Sequence, residues 1–181
     1  MRATLATLLA AATLLAASAP ATAADGLRGP ALLDAFRAQG MTLSAPSDQP
    51  VVLYNQSEVY GGLAVSGARG GAVLVQEGGH PCQYTVMFDV AKISVAFNRS
   101  YLKAGPSGIT HPVWKATAYD ANGRQLSQVG EERIASYQDV PERRFTLTGP
   151  GISRIVFWGD DHGVDGFCNV VVDTMDTVSP S

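Results

Sequence analysis

Residues Thr85–Phe97 read TVMFDVAKISVAF, and the parsing of this stretch decides the fold. Apolar side chains recur here at every second position, Val86 with Phe88 and then Ile93, Val95 and Phe97. That two-residue period belongs to a strand with one buried face. Asp89–Ala91 interrupts it and reads as a tight turn. The expectation is therefore two antiparallel strands, QYTVMFD and KISVAF, joined by a short connection.

Working outward, the same kind of segment recurs at intervals of about ten residues, bounded by Gly, Pro and Asn. Strands are expected at VVLY (Val51–Tyr54), LAVSG (Leu63–Gly67), AVLVQ (Ala72–Gln76), VWKATAYD (Val113–Asp120), QLSQVG (Gln125–Gly130), RRFTLTG (Arg143–Gly149), SRIVFWG (Ser153–Gly159) and NVVVDTM (Asn169–Met175). Two turn signatures punctuate them: DANG at Asp120–Gly123, where Asn and Gly tolerate positive φ, and TGPG at Thr148–Gly151. Many short strands with such turns define an all-β class, a sandwich or barrel. Ahead of them PALLDAFRAQ (Pro30–Gln39) carries Leu32, Leu33 and Phe36 at helical spacing, with Gly40 as a stop, so one short N-terminal helix is expected.

The chain opens on a single basic residue, Arg2, then an Ala/Leu run, then Ala21-Thr22-Ala23. This pattern predicts a secretory signal peptide cleaved after Ala23. The expected organisation is residues 1–23 as the leader, 24–50 as helix and linker, and 51–178 as the β-sandwich domain. The expected localisation is secreted or periplasmic, with no membrane span after cleavage. The formal net charge is −3, and the loss of Arg2 makes it more negative. Without basic clusters, nucleic acid is excluded as a partner. The two cysteines, Cys82 and Cys168, are expected to pair as a disulfide in an oxidising compartment.

The series TVMFDVAKISVAF, WKATAYDANGRQL, FTLTGPGISRIVFWG and NVVVDTM resembles exported bacterial modules with a galactose-binding-like fold. The AYDANG turn (Ala118–Gly123) and the GPGI turn (Gly149–Ile152) carry the likeness. The resemblance implies an antiparallel jelly-roll β-sandwich, with carbohydrate binding or surface adhesion as its common roles and, in some members, a structural calcium ion. The closing VVVDTMDTV departs from a double-acidic ending.

Alternating strand direction after Cys82 would place the long polar connections at one end of the sandwich. Those are 76–82, 98–112, 131–142 and 158–168; the tight turns 89–91, 120–124 and 149–151 would lie at the other. Both cysteines and all three histidines, His80, His111 and His162, fall on the long-loop end. Loops on a rigid scaffold commonly carry binding function. The densest of them is WGDDHGVDGFC, Trp158–Cys168.

Several chemistries fit this end. Asp160, Asp161 and Asp165 could converge on calcium, which takes oxygen ligands, although the spacing is not that of an EF-hand. The three histidines could hold zinc, with Asp160 or Asp161 behind them, but no H-x-H or H-E-x-x-H spacing supports this. Ser100 and Ser107 lack a nucleophile elbow. Asp161 with Glu131 or Glu132 would be a carboxylate pair for glycoside hydrolysis.

A saccharide asks for less: an aromatic platform with polar groups beside it. The candidate ligand-binding set is Trp158, Asp160, Asp161, His162, Tyr101, His111 and Arg99. Trp114 is a further ring, and both it and Trp158 stand at strand ends, where a core cap is the somewhat favoured reading over a ligand platform. Asn98 and Asn169 are additional polar neighbours. The sequence thus favours a secreted non-catalytic carbohydrate-binding module, with no cofactor required beyond a candidate calcium. An adhesion module contacting a cell-surface protein is the alternative, and a metal-dependent hydrolase the third.

Overall fold

In the computed structural model, which describes residues 36–45, 51–55, 59–60, 63–66, 72–76, 82–160, 170 and 172–180, the decisive stretch is one strand. The elements in chain order are β1 (Met41–Ser44), β2 (Val51–Asn55), β3 (Val59–Tyr60), β4 (Leu63–Ser66), β5 (Ala72–Gln76), β6 (Gln83–Arg99), β7 (Tyr101–Leu102), β8 (Ile109–His111), β9 (Trp114–Tyr119), β10 (Gln125–Glu131), β11 (Ile134–Ser136), β12 (Arg143–Gly159) and β13 (Val172–Val178). The expected signal peptide, residues 1–23, and the first part of the predicted helix lie outside the described residues. The last helical turn, Phe36–Ala38, is present and stops where Gly40 takes φ +71°. Phe36 packs against the core.

Two expected turns are corrected. Asp89–Ala91 and Gly149–Gly151 do not reverse the chain; each lies within a 17-residue strand, β6 and β12, which pair antiparallel along their length. The register explains what happened to them. Between Thr148↔Ser94 and Ile152↔Lys92 the extra residues sit on β12, at Gly149–Gly151; between Ile152↔Lys92 and Arg154↔Met87 they sit on β6. Extra residues in a ladder bend the strand that carries them, and Gly151, at φ +83°, adopts a conformation closed to most side chains.

The bend is sharp enough to fold the sheet over. Straight, β6 would carry Tyr84 and Phe97 roughly 40 Å apart. Yet the Phe97 ring lies 5.2 Å from that of Phe157, the register partner of Tyr84. The halves of β6 and β12 therefore belong to opposing layers. One layer runs β1, the first half of β6, the second half of β12, β9 and β10; the other runs the first half of β12, the second half of β6, β13, β5 and β2. The result is the all-β antiparallel jelly-roll β-sandwich.

Between the layers lie the alternate residues that the two-residue period assigns to the core. Tyr84, Val86 and Phe88 of β6 meet Val95 and Phe97 of the same strand, with Trp114, Ala116 and Ala118 of β9 and Phe145, Leu147, Ile155 and Phe157 of β12. Tyr84 stacks on Phe157 at 4.7 Å, and Trp114 meets Phe145 edge-on at 4.9 Å. Because each long strand doubles back, both of its ends arrive at one rim. There the Gly159 N–H bonds the Cys82 carbonyl and the Asp160 N–H bonds that of Val113, each at 2.9 Å. At the opposite end Asp120–Arg124 forms the expected tight turn, with the Asp120 carboxylate accepting the N–H groups of Asn122 and Arg124.

Candidate functional site

The rim gathers several of the nominated residues but employs them internally. Glu131, at the end of β10, accepts hydrogen bonds at Oε2 from Arg99 Nε (3.1 Å) and Trp114 Nε1 (3.1 Å), and at Oε1 from Arg143 Nη1 (3.3 Å). Arg99 also donates to the carbonyls of Ser100 and Pro141, at 2.9 and 2.7 Å. With side chains only 3% and 8% exposed, Arg99 and Glu131 form a buried ion pair. Arg99 is therefore corrected from a ligand contact to a rim fastener, because its donors already face protein acceptors. Glu131 is likewise not free to act as a hydrolytic carboxylate. Trp114 is fully buried and caps the core.

His111 is corrected for the same reason. It is fully buried, its Nδ1 lies 3.3 Å from the Pro112 carbonyl, and burial first, then the Arg99 charge, lowers its pKa from 6.5 to about 4. A buried neutral imidazole cannot line a wet site. It does set a pH dependence: the unfolded chain takes up this proton near pH 6.5, whereas the folded chain resists it until about pH 4. Stability from this group is thus complete above the unfolded value and is lost as the pH falls from 6.5 toward 4, by roughly 3 kcal/mol in all. Urea midpoints measured across that range should decline, and His111→Gln should flatten the decline even though the variant is less stable at neutral pH. An unchanged slope would reject this origin. Asp120 and Asp139, held below the usual carboxylate value by hydrogen bonds, act in a separate window beneath 3.8.

Tyr101 is half-buried, and its hydroxyl donates to Asp139, whose other oxygen accepts the Ala104 N–H at 2.9 Å. That bond and the neighbouring carboxylate raise the phenol above its ordinary pKa. Asp160 is partly exposed and lies 3.8 Å from Arg133. Asp161, His162, Asp165, Cys168 and His80 lie outside the described residues. Among the described residues no group of three His, Cys, Asp or Glu side chains is placed to hold a metal ion. Cys82 is buried, and no free cysteine occurs among the described residues.

Trp158 is different. It is 40% exposed, but it stands on a strand and not in a loop. Alternation along β12 buries Ile155 and Phe157 and turns Arg154, Val156 and Trp158 to the outer side. Register then builds three cross-strand rows on that face. Trp158 lies between Lys115 and Gln83; Val156 lies between Thr117 and Thr85; Arg154 lies between Tyr119 and Met87. Gln128 of β10 extends the middle row and donates to Thr117 Oγ1 at 2.8 Å.

Rows two residues apart are separated by about 7 Å, so the strip is about 14 Å long; it is open at Trp158, Lys115, Gln83 and Met87, while Thr117 in the middle row is buried. It holds an indole, a phenol and a thioether side chain among hydroxyls, amides and two cations. Lys115 Nζ lies 5.9 Å from the Trp158 ring centroid, and Arg154 Cζ lies 5.0 Å from that of Tyr119. No carboxylate occupies the three rows, so the acid–base pair of a glycosidase is missing from them. What the strip offers is apolar ring area with hydrogen-bonding groups alongside. Grouping Trp158 with the 158–168 loop, although it also ends the expected strand SRIVFWG, concealed Lys115, Thr117, Tyr119, Gln128 and Arg154. The signal that could have found them is the complement of the core alternation in VWKATAYD and SRIVFWG.

No protein-family model matches the chain, and no curated protein sequence matches it. Among solved structures it is similar to the xylan-binding CBM22-1 domain of Paenibacillus barcinonensis Xyn10C, at 12% identity and TM-score 0.40 over 77% of this chain and 87% of that one. It is also similar to GH31 CBM32-2 bound to GalNAc, at 16% identity and TM-score 0.41 over 77% and 97% of the two chains. A mutant of CBM29-2, a family 29 carbohydrate binding module, gives 12% identity and TM-score 0.34 over 76% and 92%.

Proposed function

We propose that this protein is an exported, non-catalytic carbohydrate-binding module whose ligand lies along the outer face of the β9–β12–β6 layer. The observation that supports this reading is the strip itself. Trp158 and Tyr119 stand on one solvent-facing surface, with Gln83, Thr85, Gln128, Lys115 and Arg154 around them. Sugar rings present apolar C–H faces that stack on aromatic rings, and hydroxyls that need donors and acceptors at the edges. Asp160 stands at the rim, one residue beyond the strand that carries Trp158, and could contact the ligand's end. A signal peptide over residues 1–23 and a Cys82–Cys168 disulfide are parts of the same proposal.

The test is a glycan array followed by polysaccharide pull-down with the mature protein. Trp158→Ala is expected to weaken binding of every glycan the protein takes by about tenfold or more, since a stacked ring contributes both its area and its specific geometry. Because the side chain is on the outer face, the thermal midpoint should move little. Binding unchanged by this substitution would remove the strip as the site.

A further inference from the structure

We infer that the ligand of this face is an acidic polysaccharide, one whose sugar rings carry carboxylates, and that Lys115 and Arg154 select it. The inference rests on the strip being a saccharide site, as proposed above. It starts from an asymmetry in how the described cations are employed. Arg99 and Arg143 share Glu131; Arg124, Arg133 and Arg144 each face an aspartate, Asp120, Asp160 and Asp176. Lys92, Lys103, Lys115 and Arg154 form no ion pair among the described residues, and of these Lys115 and Arg154 share the outer face with rings. Each of these two is set against an aromatic ring. In a chain whose overall charge is −3, the three rows of the strip carry two positive charges and no negative one.

The arrangement repeats. Trp158 with Lys115 makes one ring-and-cation pair; Tyr119 with Arg154 makes a second, four residues along β12 and thus about 13 Å away. A uronic acid bears its carboxylate directly on a ring carbon. A ring seated against the indole would bring that carboxylate within reach of Lys115 Nζ, which lies over the Trp158 ring, 5.9 Å from its centroid. A polymer of such sugars presents ring and charge in repetition, as the strip does. Arg154 adds a planar fork suited to a carboxylate. Two cations are too few to hold a nucleic acid by its phosphates, which takes a concentrated basic surface.

The experiment is calorimetry or affinity electrophoresis of the mature protein against polygalacturonate, a neutral galactan, xylan and dextran sulfate. Polygalacturonate is expected to bind most tightly. Its binding should fall at ~0.5 M salt, where the screening length shrinks to about 4 Å. Lys115→Gln and Arg154→Gln should each weaken it about tenfold, the scale of one charge-assisted contact, while Lys115→Arg retains it. Thermal midpoints should hold steady, since both side chains project outward.

Equal binding of neutral and acidic glycans, untouched by Lys115→Gln and Arg154→Gln, would overturn the inference and leave the carbohydrate-binding proposal standing. Binding of dextran sulfate without polygalacturonate would overturn it in favour of sulfated ligands. Failure of all four polysaccharides, together with a blank glycan array, would overturn both.

Discussion

Glu131→Ala is expected to lower the stability of the folded chain by about 3–5 kcal/mol, the largest effect of any single polar substitution here. The carboxylate holds Arg99, which is 3% exposed, and satisfies the Nε1 donor of the fully buried Trp114. Removing it leaves a guanidinium buried without its counter-charge and an indole N–H without an acceptor. Arg143, 64% exposed, adds little by comparison, because a pair so open to water is screened. The measurement is urea unfolding at pH 7, above the window in which His111 titrates. The companion variant Arg99→Met with Glu131→Leu should recover much of the loss, since it removes both charges together. A single-variant loss below about 1 kcal/mol would show that the rim does not depend on this pair.

Reduction of the proposed Cys82–Cys168 disulfide is the second large effect. Bridging so long a loop is worth at most about 4–5 kcal/mol on the chain-entropy account. Cys82→Ser should therefore bring a marked fall in the unfolding midpoint, matched by the reduced wild type. Intact mass before and after reduction with alkylation counts the thiols directly. Two alkylated thiols without prior reduction would dismiss the bond, and equal midpoints for oxidised and reduced protein would dismiss its role in stability. Cys82 is buried beside the strand end that leads into Trp158–Cys168, its carbonyl bonded to the Gly159 N–H at 2.9 Å.

The two experiments probe different halves of the same rim. Glu131 ties β10 to the end of β6 and the start of β12, while Cys82 belongs to the start of β6 and the end of β12. Loss of either should leave the strip around Trp158 recognisable in folded molecules, so ligand affinity is expected to change less than stability. By contrast, Lys115 and Arg154 should alter affinity and leave stability alone.

Much of the architecture was legible in the chain because strand alternation is a local property. Phe88, Phe97, Phe145 and Phe157 are core residues as their spacing required, and the DANG turn forms as its residues demand. The error at Asp89–Ala91 and Gly149–Gly151 has a specific cause. A bulge and a turn use the same residue types, and whether extra residues reverse a strand or bend it depends on what the partner strand does opposite them. Because both partners bend together, the strand ends still meet at one rim.

The candidate site was less legible. Arg99 and His111 have the chemistry of ligand groups, but both are buried: Arg99 is held by Glu131 and the Ser100 and Pro141 carbonyls, and His111 stands in β8 paired with β11, partners that no local pattern reports. Side-chain period, turn chemistry and the division into buried and open faces are set within a few residues, and the amino-acid order determined them unaided. Which cation meets a carboxylate, and which two rings share a face with Lys115 and Arg154, depends on register between β6, β9 and β12, segments far apart in the chain. Register is a property of two strands at once. Only the folded sheet decided it, and with it the strip where Trp158 and Tyr119 stand.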